Sequence, residues 1–242
     1  MPDASAPISL IYRFRFEDGT ERDFEIRLHP ETLELLLEGE IQRPEWTKLE
    51  FHQCQNCPLG SEVEYCPVAV SLANLVPHFG DVASFTKATV TVLSKERTYA
   101  KDTTVQKGLS AMIGIYMVTS NCPVMDKLRP MVRFHLPFAT LSETAYRAIT
   151  MYLLAQFLLM QKGLQPDWEL KKLPDIYRAV SIVNKGISQR VSAASSTDAG
   201  ANAVVILNSL GDSVPYVIDN GLGELEPVFK TYLDEKKQSP SP

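Results

Sequence analysis

The chain has 242 residues, 45% of them hydrophobic and 22% charged, with a formal net charge of −5. That length allows one large domain or two small ones with a substantial core, and the composition is ordinary for a soluble globular protein. The negative balance gives no general field for phosphates, so no nucleic acid partner is expected.

Met1 to Pro7 is small and polar rather than basic and then apolar, so the cytoplasm is the expected compartment. Ile8 to Phe16 alternates, with Leu10, Tyr12, Phe14 and Phe16 on one face and Arg13 and Arg15 on the other. Glu21 to Leu28 does the same, with Phe24, Ile26 and Leu28 against Asp23, Glu25 and Arg27. A two-residue loop between them would set Phe14 opposite Asp23 and bury charge. The three-residue loop Asp18-Gly19-Thr20 pairs Phe14 with Phe24 and Arg15 with Asp23, so both faces agree.

Pro30 to Glu40 fits either a strand or a short helix. Pro44 to Phe51 reads as a strand anchored by Trp46, delivering the chain to His52 and Cys54. Cys66 stands where an N-cap would be and Pro67 at a first helical position, opening a helix through Ala69, Leu72 and Val76. Phe85 to Leu93, rich in Thr and Val, reads as a strand, with Arg97 to Ala100 extending it or pairing back.

From Asp102 the period becomes helical. Thr103 to Thr119 carries Leu109, Met112, Ile113, Tyr116 and Met117 at helical spacing, while Gly108, Ser110, Ala111 and Gly114 permit close approach. Pro123 opens a short helix to about Arg129, and Thr140-x-x-Glu143 is a capping box for the next. Ile149 to Met160 is apolar on nearly every side, yet too short for a bilayer, which takes about 20 apolar residues. It therefore reads as the central buried helix, over 141–162, and no membrane span is expected. Asp167 to Val191 supplies amphipathic helix with a boundary at Pro174, Ala201 to Leu210 a helix or buried strand, and Leu222 to Leu233 a last helix. The expected fold is α+β: an N-terminal antiparallel region with a cysteine loop (1–101), a helical region packed on it as one unit (102–236), and a frayed tail (237–242).

Chemistry concentrates in the four cysteines, spaced C-x2-C-x8-C-x55-C as Cys54, Cys57, Cys66 and Cys122. Asn56-Cys57-Pro58 is echoed by Asn121-Cys122-Pro123, and Cys66-Pro67 is a third Cys-Pro step. In a reducing compartment such thiols point to a metal or to redox chemistry before a structural disulfide. Soft anionic sulfur suits Zn2+ or an iron–sulfur cluster. The spacing matches neither a ferredoxin nor a paired zinc ribbon, and His52 is an alternative ligand or a hydrogen-bond donor to one of the ligands. If Cys66 and Cys122 cap helices, backbone N–H groups there would stabilise thiolate. Three readings stand: a shared metal centre, a Cys54/Cys57 redox pair, and inert buried thiols.

A second stretch joins Arg133 and His135 to Glu143 and Arg147, the last two four apart on one helical face. It reads either as an anion or substrate pocket with His135 as acid–base group, or as a structural network closing a helix end. No Walker loop, G-x-G-x-x-G, H-E-x-x-H or G-x-S-x-G occurs, which removes the most readable enzyme classes.

The runs Pro-Glu-Trp-Thr-x-Leu-Glu-Phe-His-Gln-Cys-x-Asn-Cys-Pro-Leu (44–59), Tyr-Cys-Pro-Val-Ala-Val (65–70), Arg-Phe-His-Leu-Pro-Phe-Ala (133–139) and Asp-x-x-Ala-Asn-Ala-Val-Val (198–205) resemble an uncharacterised bacterial protein family. The resemblance implies a bacterial cytosol and these motifs as one unit, and supplies no reaction. The functions to test are a cytosolic metal-binding interaction or sensory protein, a small redox enzyme using an iron–sulfur cluster or the Cys54/Cys57 thiols, and a metal-free structural protein. A protein or small molecule is the expected partner.

Overall fold

A computed structural model describes residues 6–37, 39–220, 222–223 and 225–238, the last four as backbone only. The tail expected at 237–242 lies, from 239 on, outside the described residues. Four strands, β1 (Ile8–Phe16), β2 (Glu21–Leu28), β3 (Lys87–Leu93) and β4 (Thr98–Thr104), form one antiparallel sheet in the order β2-β1-β3-β4. The second half is helical, so the fold is α+β as the patterning implies. One sheet face is the core face, with Tyr12, Phe14, Ile26, Leu28, Val90 and Val92 buried. The opposite face carries Arg13, whose guanidinium pairs with the facing Asp23.

The β1–β2 loop has three residues and the faces are as expected, but the register differs by two. Phe14 lies opposite Arg22, Tyr12 opposite Phe24 and Arg15 opposite Glu21. A three-residue hairpin loop needs its last residue in the left-handed region. Gly19, at φ +85°, fills that position when the loop is Glu17-Asp18-Gly19, whereas the expected loop would put Thr20 there. The Asp18 carboxylate then accepts from the Thr20 N–H at 2.9 Å and hydroxyl at 2.7 Å, closing the turn. Phe14 and Phe24 still meet edge to face, as diagonal neighbours 6.0 Å apart.

Two short elements, α1 (Pro67–Ala73) and a 3-10 turn at Val76–Phe79, precede β3. After β4 comes α2 (Val105–Val118), which is the central helix: Leu109, Met112, Ile113, Ile115 and Met117 are fully buried. Gly108 allows this position, since a Cβ there would lie 2.7 Å from the Phe14 ring and 2.8 Å from Val90. A 3-10 helix over Met125–Phe134 follows, running through Pro130 instead of ending near Arg129.

Next, α3 (Leu141–Gln161) starts with the expected capping box, in which the Thr140 hydroxyl accepts from the Glu143 N–H and the Glu143 carboxylate accepts from the Thr140 N–H. It is not the buried centre. Only Ala145, Ala148, Ile149, Tyr152 and Gln156 are buried, while Leu154 (60%), Leu158 (54%) and Phe157 (44%) are exposed. Apolar residues all round cannot reveal which face packs, and α2, with its small residues, approaches the sheet more closely.

The remaining long helices are α4 (Leu173–Ala194), with Pro174 in its first turn, and α5 (Ala199–Asp219). By length and composition alone α5 could cross a membrane. It packs on α2, α3 and α4, with 17% of its apolar stretch buried. A 3-10 turn at Glu226–Phe229 and α6 (Lys230–Gln238) end the described chain.

Candidate metal centre

The segment leading to the cysteines is not the strand expected over Pro44 to Phe51. It forms a 3-10 turn at Glu45–Thr47 and a single bridge, Lys48 with Tyr65. The reason lies across the molecule in α4. Arg190, 0% exposed, donates from Nη1 to the carbonyls of Trp46 (2.8 Å) and Lys48 (2.6 Å) and from Nη2 to that of Leu49 (2.8 Å). Carbonyls turned together onto one guanidinium cannot serve a ladder, where they alternate in direction. The base of the cysteine loop is closed by the Leu49 N–H on Glu64 and the Cys66 N–H on Thr47.

All four cysteines are free thiols, with Cys66 and Cys122 buried and Cys54 and Cys57 half-buried. They lie within electrostatic reach of one another. Burial pushes the Cys54 thiol up to about 11, charge on Cys66 adds to the rise, Arg190 opposes it, and Cys57 and Cys122 contribute further. Burial also raises Cys122, against the N–H groups of Met125 and Val124, which face its sulfur and favour thiolate; Cys66 and Cys57 act on it too. Cys122 does not cap the helix as expected, the N-cap of Met125–Phe134 being Val124, but its sulfur faces the same helix start. Cys66 does occupy the N-cap of α1, but makes no side-chain capping bond. Without a cation, burial favours the thiol form of Cys54 and Cys122. A bound metal would reverse that balance.

Among the described residues, no three His, Cys, Asp or Glu side chains are grouped so that they could hold one metal ion. The His52 backbone is left-handed at φ +47°, and its exposed ring stands edge-on to Phe51, 4.9 Å between centroids.

One face of α4 seats the loop through residues 179, 186 and 190, spaced by seven and four. The Asn56 Nδ2 donates to the Ala179 carbonyl at 2.9 Å. A Cβ added at Gly186 would lie 2.8 Å from the Cys54 sulfur and 3.4 Å from the His52 carbonyl oxygen. Mid-helix glycine costs about 1 kcal/mol against alanine, so this glycine is kept for the close approach of Cys54. Two buried polar atoms at the seat have no partner, Arg190 Nε and Asn56 Oδ1. Neither Gly186 nor Arg190 was singled out in the sequence. The available signal was an arginine in phase with the apolar stripe Val183, Ile187, Val191.

Gly186→Ala tests this seat. It is expected to push Cys54 off α4 and lower stability, despite the better helix former. In a Cys54→Ala background the same change should cost much less, as measured by a denaturant double-mutant cycle. Equal costs in both backgrounds would show that the sulfur contact does not matter.

The second stretch divides. His135 Nε2 is 2.5 Å from the Tyr12 hydroxyl, and burial, helped by Arg147, pushes it down to about 3. It is neutral across the physiological range and unsuited to acid–base work there. Arg147 donates to the carbonyls of Met131 (2.8 Å) and Phe134 (3.2 Å), while Glu143 is spent on its cap. Arg133 is exposed and lies over the Phe134 ring. His135 and Arg147 do line a common cavity, and Arg133 and Glu143 do not.

A family model described as a domain of unknown function, DUF6901, matches residues 10–230, and the chain belongs to that family. No curated protein and no solved structure matches the chain.

Proposed function

We propose that the protein carries a cysteine-ligated iron–sulfur cluster on Cys54, Cys57, Cys66 and Cys122, and serves in the bacterial cytosol as a sensory or interaction protein. The reading is carried by one observation: thiols from two segments 55 residues apart share an electrostatic neighbourhood beside a fully buried arginine. Tetrahedral zinc needs its sulfurs within about 4 Å of one another in one compact group. A polynuclear cluster takes a wider set of thiolates.

Charge supports the same reading. A cluster with four thiolates is anionic, and Arg190 is a buried cation whose described partners are neutral carbonyls. Its unpartnered Nε–H suits an anionic sulfur. When bound, a cluster would supply one-electron chemistry or an oxygen-labile structural element. This chain's own residues would hold it, exclude water through Cys66 and Cys122, and balance its charge through Arg190.

The test is the visible spectrum, iron, zinc and acid-labile sulfide of untagged protein purified without oxygen. A brown protein with iron and sulfide in equal amounts is expected. Colourless protein with one zinc would replace the cluster by a zinc centre. Metal-free protein that forms a Cys54–Cys57 disulfide would make the redox pair the better reading.

A further inference from the structure

The structure assigns a second site, independent of the thiols: a cavity for an amphipathic carboxylic acid, an apolar chain with one anionic head. The cavity has a volume of about 300 Å3 and lies among α2, the Met125–Phe134 helix, the start of α3, α4 and α5. An engineered apolar cavity of about 150 Å3 takes a benzene ring, so this one has room for a ligand about twice that size.

Its polarity runs along α2. Lys107, Ser110, Ala111 and Gly114 line it at a spacing of three, one and three, followed by Ile115 and Val118. Lys107, like Lys101 of β4, is exposed, whereas Ile115, Val118 and Met125 are buried. From Lys107 to Val118 the helix rises about 16 Å, enough for an extended ten-carbon chain. The lining includes three cations, Lys101, Lys107 and Arg147, and no Asp or Glu. Arg147 is half-buried, and only backbone carbonyls accept from it among the described residues.

A bare apolar wall would leave no polar atom stranded. Here Ser110, 2% exposed, has a buried hydroxyl with no partner, and the buried Asn184 Oδ1 is also unpartnered. Both residues line the cavity. A hydroxyl one turn below a lysine and facing the same space is a donor for a carboxylate entering past that lysine.

Isothermal calorimetry of the full chain as purified, with sodium decanoate, tests the site, and decanol is the neutral control. One equivalent of decanoate is expected to bind at least about tenfold more tightly than decanol, the worth of a charge-assisted hydrogen bond. Lys107→Glu, an exposed change that leaves packing alone, should weaken decanoate about fivefold and decanol hardly at all. Ala111→Phe fills the space and should abolish binding of both. Absence of decanoate binding, equal affinity for decanol, or Lys107→Glu without effect on decanoate overturns the proposal. So does undiminished binding by a folded Ala111→Phe protein.

Discussion

Arg190→Met is expected to lower the stability of the protein by at least about 3 kcal/mol, since each buried carbonyl it abandons costs roughly 1–3 kcal/mol. For a chain of this size that corresponds to a fall in melting temperature of roughly 6–12 °C. The sign is informative because two effects compete. Burying a cation without an anion costs several kcal/mol, so an apolar replacement of similar length could be neutral or stabilising. If the thiols hold an anionic centre, methionine leaves that centre uncompensated as well as the carbonyls of Trp46, Lys48 and Leu49 unpaired. The cost should then be larger in loaded than in metal-stripped protein, and loaded Arg190→Met should release metal to a chelator faster. Parent-like melting and metal retention in Arg190→Met would remove Arg190 from the site.

If the proposed centre is present, Cys122→Ser should have the second large effect, emptying it and destabilising the chain. Cys122 sits in the loop after α2, far in sequence from the Cys54–Cys66 loop, and a metal bound by both would fasten two parts of the fold. An inert buried thiol predicts something different: a hydroxyl in an apolar site, costing about 1–3 kcal/mol with metal content unchanged. Iron and sulfide per chain separate the two outcomes, and Cys122→Ala controls for the polarity of serine. Full metal occupancy in folded Cys122→Ser protein would exclude Cys122 as a ligand.

The sheet was largely legible because period-two alternation with charges on one face specifies which residues turn inward. Its register was not, because any even sum of paired positions satisfies the faces; Gly19's positive φ chose among them. The Thr140–Glu143 cap was legible because it is local. The role of Ile149 to Met160 was not, since hydrophobicity records what could be buried and not what is. At the candidate site the thiols stood out by rarity and repetition. Their seat did not, because Gly186 and Arg190 acquire meaning only once α4 is known to face the loop. For the strand expected at Pro44 to Phe51, local propensity lost to a guanidinium far along the chain.

The clamp on that loop has a consequence for the order in which the protein is made. Arg190 grips carbonyls that precede it by 141 to 144 residues. At about 5–20 residues per second, the carbonyls of Trp46, Lys48 and Leu49 are synthesised roughly 7–30 s before their partner exists. During that interval Cys54, Cys57 and Cys66 belong to a nascent chain with neither Arg190 to orient the loop nor Gly186 to seat it. N-terminal fragments ending before α4 should therefore leave Cys66 open to alkylation, while the finished chain buries it and half-buries Cys54 and Cys57.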